Sequence, residues 1–157
     1  MNRLTVSKLA ASILMLSLLA ACSSSFYSKL RLVLLAAPPL IESLPLSPAL
    51  KSGLITDFTD MADRTATLGE CLGGASTKAA KLSCVQSYEP QIEAVIARGN
   101  FGNANNERLN QILGVIRGII ASARIYYGEP SVGVSTNKVT EKSIKQQVDE
   151  LNRLMRP

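Results

Sequence analysis

The sequence predicts an all-α domain, a small bundle of about four helices preceded by an extended, proline-rich apolar arm. Apolar residues make up 46% of the 157 residues and charged residues 18%, a composition typical of a folded globular domain. After residue 47, apolar side chains recur at helical spacing in four segments. The alternation typical of a strand is found only briefly, at Ser131–Ser135, where Gly133 and the preceding Pro130 weaken it.

The N-terminus has the organisation of a bacterial secretion signal. Two basic residues, Arg3 and Lys8, precede a mostly apolar run from Leu9 to Ala21. These 13 residues have the length of a signal core. They are too few to cross a bilayer, which takes about 20 residues. We therefore expect residues 1–21 to be removed as a signal peptide.

The run ends in Leu19-Ala20-Ala21-Cys22, which resembles the lipobox of bacterial lipoproteins. The resemblance covers residues 1–22 and implies that Cys22 receives a diacylglycerol. It also implies cleavage before Cys22 by the lipoprotein signal peptidase and a stable anchor of two or three acyl chains, such as palmitate. An ordinary secretory signal would instead require a small residue three positions before the cleavage site, where Leu19 stands.

The residue after Cys22 is Ser23. In the enterobacterial lipoprotein pattern, Asp at this position retains the protein in the inner membrane. For a Gram-negative source, Ser23 therefore implies an outer-membrane anchor with the body facing the periplasm. Exposure at the cell surface is the alternative.

Two cysteines remain, Cys71 and Cys84. Export would place them in an oxidising compartment, where we expect them to form a disulfide. The bond would close a short loop and stabilise the fold by about 3 kcal/mol in the chain-entropy model. Their spacing is not that of a redox-active pair, and two cysteines without histidine make a poor metal site.

The segment from Leu30 to Leu46 is rich in leucine and proline. Four prolines in or beside it argue against one long helix: Pro38, Pro39, Pro45 and Pro48. We expect an extended arm that packs across the helical body. One alternative is insertion into the lipid interface beside the anchor, with Lys29 and Arg31 facing headgroups. The other is a docking strip for a partner.

The first two predicted helices surround the cysteines. Helix one is expected to follow Ser47, as N-cap, and to end at Leu68-Gly69. Helix two is expected at about Lys78–Tyr88. Pro90 then either kinks it or begins a new helix, and Gly99 is well suited to the position just after a helix end.

The third predicted helix, about Glu107–Tyr127, has the clearest apolar stripe and is expected to be the most buried. Gly114, Gly118 and Ser122 are four residues apart, and such small residues predict close approach of another helix inside the bundle. A polar linker at 131–139 follows.

The last predicted helix runs from about Glu141 to Met155. Its apolar residues step by four and three residues in a two-heptad stripe: Ile144, Val148, Leu151 and Met155. We expect this helix either to dock on the bundle or to pair with another chain.

The composition excludes several classes of site. There is no histidine, so Ser–His–Asp and Cys–His catalysis and imidazole zinc sites are excluded. Asp57, Asp60 and Asp63 are interpreted as a solvated helix face. Glu89 and Glu93 lie one turn apart but no nucleophile accompanies them. We therefore expect no catalytic residue, no cofactor and no metal.

These observations predict a non-enzymatic envelope lipoprotein that binds another protein. Alternatives are a carrier of a small ligand or lipid with an apolar cavity between helices and, less favoured, a peptidoglycan-directed hydrolase. The net charge falls from +5 to +3 once Arg3 and Lys8 leave with the signal. The remaining basic residues are scattered, which argues against a nucleic-acid partner. Candidate partner contacts are Leu32, Leu34, Leu40, Tyr126, Val148, Leu151 and Met155.

Overall fold

The computed structural model describes residues 25–130 and 139–157, and these residues form helices and no strand. The all-α prediction is confirmed. Cys22, the signal peptide and most of the predicted linker lie outside the described residues. The helices are α1 (Phe26–Leu35), α2 (Pro38–Ser43), α3 (Pro48–Gly74), α4 (Lys78–Arg98), α5 (Phe101–Ala104), α6 (Glu107–Tyr126) and α7 (Glu141–Leu154).

Five of these helices form a closed ring around one core. α1 packs against α3, α3 against α4, α4 against α6, α6 against α7, and α7 back against α1. The short α2 packs on α3, and the single turn α5 contacts α3 and α4. Their buried apolar side chains form one cluster that extends from Phe26 to Met155. The ring has one helix more than predicted because α1 lies in the segment expected to be extended.

The predicted extended arm is helical in the described residues, so its extended conformation is corrected. α1 has ten residues and α2 has six, and α2 begins at Pro38. Proline is tolerated at a helix start because its missing N–H would have no partner there. The prolines therefore divide the segment into two short helices. Its predicted packing on the body is confirmed by seven core residues: Leu30, Val33, Leu34, Ala37, Leu40, Ile41 and Leu44.

α3 continues past its predicted end at Gly69 and stops at Gly74. A Cβ on Gly69 would lie 2.9 Å from Cδ2 of Tyr27, so this glycine admits the Tyr27 ring of α1. Ser47 is the N-cap, and its side chain accepts a hydrogen bond from the Leu50 N–H at 3.4 Å. Gly69, which was predicted to end the helix, is therefore a point of close contact between α1 and α3.

α4 is a single helix with Pro90 inside it. Gly99 follows α4 in an extended conformation, and a Cβ there would lie 2.7 Å from the carboxylate of Asp57 on α3. Asp57 accepts hydrogen bonds from the backbone N–H and side-chain amide of Asn100, at 2.7 and 3.2 Å. Gly99 therefore permits the end of α4 to approach α3 closely.

The stretch between α4 and α6 contains the helical turn α5. Phe101 is 3% exposed and its ring packs edge-on against Phe58 of α3 at a centroid distance of 5.4 Å. Asn105 ends the turn with a left-handed backbone, which asparagine tolerates. Asn106 then caps α6 by accepting from the N–H groups of Arg108 and Leu109.

The two C-terminal helices follow their predicted boundaries within one residue. Thr140 caps α7 in a reciprocal capping box with Ser143. The apolar stripe of α7 packs against α6 and α1 of the same chain. Of the two predicted alternatives, this structure therefore shows docking on the bundle. Its residues are at most 3% exposed: Ile144, Val148, Leu151 and Met155.

Gly114 and Gly118 of α6 do not serve close packing. Within the described part of the chain, and apart from the adjacent backbone of α6 itself, a Cβ at either position would meet no heavy atom within 4 Å. The predicted approach of another helix is therefore wrong at both glycines. Ser122, the third small residue, does contact α7, since it accepts a hydrogen bond from the Gln147 amide at 3.0 Å.

Gly118→Ala and Gly114→Ala are each expected to raise the free energy of unfolding by about 0.5–1 kcal/mol. Alanine loses less backbone entropy than glycine when a helix forms, and the added methyl group would meet no neighbouring helix at either position. Urea denaturation measures the change. Gly69→Ala is the matched control, since the same helical gain is opposed by the Tyr27 ring. An equal gain at all three positions would contradict the close contact at Gly69.

Candidate functional site

The partner contacts proposed from sequence divide into buried and accessible residues. Five lie in the core at most 3% exposed, where they contact other helices of the same chain: Leu34, Leu40, Val148, Leu151 and Met155. A partner would reach these five only if the bundle opened. Tyr126 is half-buried, with its ring 4.9 Å from that of Tyr127. Leu32 alone is largely accessible, at 65% exposure.

Leu32 belongs to an accessible surface that we call the exposed α1 face, formed by Ser28, Arg31, Leu32, Leu35 and Ala36. Leu32 and Leu35, which is 41% exposed, are the large apolar side chains exposed on the described part of the protein. Arg31 lies beside them, and α1 contains no acidic residue. The exposed α1 face is therefore apolar and positively charged.

A shallow groove of about 240 Å³ borders this face where α7 closes the ring on α1. The Lys29 ammonium of α1 lies 3.3 Å from the carboxylate of Asp149 on α7. Both side chains are at least one-third exposed, so the pair adds little to stability. The groove is lined by Lys29, Leu32, Val33, Val148, Asp149 and Asn152. Leu32 thus lines both the groove and the exposed α1 face.

α1 is also the helix nearest in sequence to Cys22, because Phe26 follows it by four residues. An extended chain spans at most about 3.6 Å per residue, so the Cα atoms of Cys22 and Phe26 are within about 14 Å. Any lipid on Cys22 would therefore hold the first turn of α1 close to the membrane surface.

The acidic residues of α3 hold helices together rather than forming only a solvated face. Asp57 binds Asn100, as described above. Asp60 pairs with Arg64 on its own helix, at 3.2 Å, and with Arg98 at the end of α4. Asp63 is exposed, as the sequence interpretation expected. Two of the three aspartates therefore fasten the end of α4 to α3.

The glutamates of α4 pair with arginines of α6. Arg117 donates from Nε and Nη2 to the two carboxylate oxygens of Glu93, at 2.7 and 2.8 Å. This hydrogen bonding lowers the pKa of Glu93. Arg124 pairs with both Glu89 and Glu129. Glu89 and Glu93, which lie one turn apart on α4, thus connect two neighbouring helices of the ring.

One buried polar contact between α3 and α4 has no signal in the sequence. Thr65 donates its hydroxyl to the Met61 carbonyl at 2.8 Å, so it accepts the hydroxyl of Tyr88 at 2.7 Å. Thr65 is 0% exposed and Tyr88 is 2% exposed. Burial raises the pKa of Tyr88 from 10.0 to about 12. A threonine within a helix is usually indistinguishable from a surface residue in sequence, which is why this contact was missed.

The protein is expected to lose stability as the pH rises from 10 towards 12. An unfolded Tyr88 ionises near pH 10.0, whereas the folded residue stays protonated to about 12. The stabilisation is fully present below pH 10 and declines by up to about 1.4 kcal/mol per pH unit above it. Tyr88→Phe should reduce this slope in urea denaturation curves. Some slope should persist because burial also raises the pKa of Tyr127 to about 12. An unchanged slope would contradict this account.

Within residues 25–130 and 139–157, no cluster of three or more His, Cys, Asp or Glu residues is arranged to hold a metal ion. In the same residues, no helix combines the length and the apolar character needed to cross a membrane.

The chain matches no family model, no curated protein and no solved structure. Functional interpretation therefore depends on the residues themselves. The features that carry it are the lipobox-like sequence that ends at Cys22, the disulfide found between Cys71 and Cys84, and the exposed α1 face that follows Cys22 closely.

Proposed function

We propose that the protein is a bacterial lipoprotein anchored through Cys22, and that it acts as a non-enzymatic, protein-binding accessory component of a cell-envelope assembly. The observation that carries the proposal is Leu19-Ala20-Ala21-Cys22 directly after the apolar run Leu9–Ala21. The proposed location is the outer membrane, on the periplasmic side, because Ser23 follows Cys22.

The disulfide supports export. Cys71 at the end of α3 is bonded to Cys84 in α4, with their Cα atoms 5.8 Å apart. Structural disulfides persist in oxidising compartments such as the periplasm and are rare in the cytosol of most bacteria. A protein that leaves the cytosol through a lipoprotein signal would acquire this bond on the outer side of the membrane.

The chemistry of the body favours binding over catalysis. The chain has no histidine, and Asp60 of α3 and Glu89 and Glu93 of α4 are used in contacts between helices. The short separation between Cys22 and α1 would keep the body at the membrane surface. A small protein held there is suited to contacting other components of the envelope.

Anchoring is tested on protein extracted from the bacterial envelope. Mass spectrometry is expected to find a mature N-terminus at Cys22 that carries acyl chains. Cys22→Ala should abolish acylation and release the protein from the membrane fraction. A mature N-terminus elsewhere, or an unmodified Cys22, would refute the lipoprotein assignment.

A single substitution at Ser23 tests the proposed outer-membrane location. In an enterobacterial host, Ser23→Asp should move the lipoprotein from the outer to the inner membrane fraction while leaving acylation of Cys22 unchanged. Equal distribution of the two proteins between the fractions would contradict the proposed location.

Partner binding is tested by crosslinking in whole cells, with Cys22 intact and with Cys22→Ala. A protein captured only with the anchored form would mean that the lipid brings the chain into a membrane-bound assembly. The same protein captured with both forms would place recognition in the helical body. Recovery of uncrosslinked monomer alone in both cases would contradict a protein-binding role.

A further inference from the structure

We propose that the exposed α1 face contacts the lipid surface to which Cys22 is anchored. The axis of α1, and with it the long axis of the bundle, then lies parallel to the membrane plane. This inference depends on the proposed anchor. It adds a second, non-covalent attachment and an orientation for the body. The occupant of the exposed α1 face is then an anionic lipid surface rather than a protein.

The first argument is reach. The Cα atoms of Cys22 and Phe26 are at most about 14 Å apart, and each α-helical residue adds about 1.5 Å. Leu32 and Leu35 therefore lie within about 23 Å and about 28 Å of Cys22, respectively. α1 is short enough for its whole length to lie beside the anchor. A longer segment between Cys22 and α1 would allow the helical body to lie farther from the membrane surface.

The second argument is the chemistry of the face. Leu32 and Leu35 are exposed side by side, although α1 buries its other large apolar residues. Arg31 is exposed next to them. Leucine directed towards the acyl region, with arginine at headgroup level, is the arrangement of helices that lie in a membrane interface. α1 contributes no acidic residue that would repel anionic lipid, and the exposed carboxylate bordering the face, Asp149 of α7, is paired with Lys29.

The third argument is the position of α1 in the ring. Its neighbours are α3 and α7, whereas α4 and α6 are separated from it by those helices. With α1 on the membrane, α4 and α6 form the side of the bundle away from the lipid. The outward residues of α6, including Gln111, Gly114 and Arg117, are then accessible to an envelope partner.

The test uses residues 22–157, which retain every core residue, coupled through the Cys22 thiol to maleimide lipid in vesicles. Chemical coupling separates this test from lipidation in the cell. The chain has no tryptophan, so Leu32→Trp supplies a single probe. On vesicles with anionic headgroups and brominated acyl chains, its emission should shift to shorter wavelength and be quenched. Gln111→Trp is the control and should show neither change.

An unchanged emission spectrum for Leu32→Trp on vesicles would overturn the proposal, even if acylation in cells is established. A shift that grows with protein concentration in the absence of vesicles would overturn it in favour of a second copy on this face. As a further check, uncoupled protein with Leu32→Ser and Leu35→Ser should partition about tenfold less onto the same vesicles than the unsubstituted chain. Equal partitioning would also count against the proposal.

Discussion

Leu34→Ala is expected to lower the free energy of unfolding by about 2–5 kcal/mol, the range for leucine deletions that leave a cavity in a packed core. Leu34 is 1% exposed and lies on the α1 side that faces the core. α1 packs against both α3 and α7, so the cavity opens where the ring closes. Urea denaturation followed by circular dichroism measures the change.

Leu32→Ala is the matched control, because it removes the same atoms from the same helix two residues away. Leu32 is 65% exposed, so its truncation should change the free energy of unfolding by at most about 0.5 kcal/mol. Equal effects of the two substitutions would mean that α1 does not pack as described. The pair also separates stability from membrane contact, since only Leu32 belongs to the exposed α1 face.

The helices after residue 47 could be predicted because each is long and carries a regular apolar stripe. α6 and α7 have caps whose chemistry is visible in sequence, at Asn106 and Thr140. Their buried faces follow from helical spacing alone. The sequence did not show that the α7 stripe is buried against the same chain. An apolar stripe of two heptads can pack equally well in a bundle or against a second chain.

α1 could not be predicted as readily, since apolar residues occupy both its sides. Leu30 and Leu34 are buried, whereas Leu32 and Leu35 are exposed. The buried residues of α1 do fall at helical spacing, but Leu32 and Leu35 on its other side obscure this apolar stripe in the sequence. The prolines that follow end α1 but do not make the preceding residues extended. The same property explains why the candidate contact list placed the buried Leu34 beside the exposed Leu32.

The predictions for Gly69, Gly114 and Gly118 are wrong for a related reason, whereas Gly99 does follow a helix end as predicted. A glycine can end a helix, allow another side chain to approach the backbone closely, or face open space. The sequence alone does not distinguish these roles, because they depend on how the helices pack. Gly69 admits the Tyr27 ring, and Gly99 admits the Asp57 carboxylate. Gly114 and Gly118 face open space among the described residues. Long-range contacts of this kind join residues about 40 positions apart, beyond the range of any local sequence pattern.

Removing the disulfide with Cys71→Ala and Cys84→Ala is expected to lower the free energy of unfolding by about 3 kcal/mol. The two cysteines are 13 residues apart, and closing a loop of that size restricts the unfolded chain by about this amount. Urea denaturation of oxidised and reduced protein provides the measurement. Reductant should destabilise the unsubstituted protein to a similar extent and leave the double variant unchanged.

The size of this effect bears on where the protein can fold. A domain of this length is typically stable by only about 5–15 kcal/mol, so the bond supplies a substantial part of the total. Chain retained in the cytosol would lack the bond and be more readily unfolded there. If reduction left the free energy of unfolding unchanged, the disulfide would be incidental to stability. The structural support that it offers for an exported lipoprotein would then be correspondingly weaker.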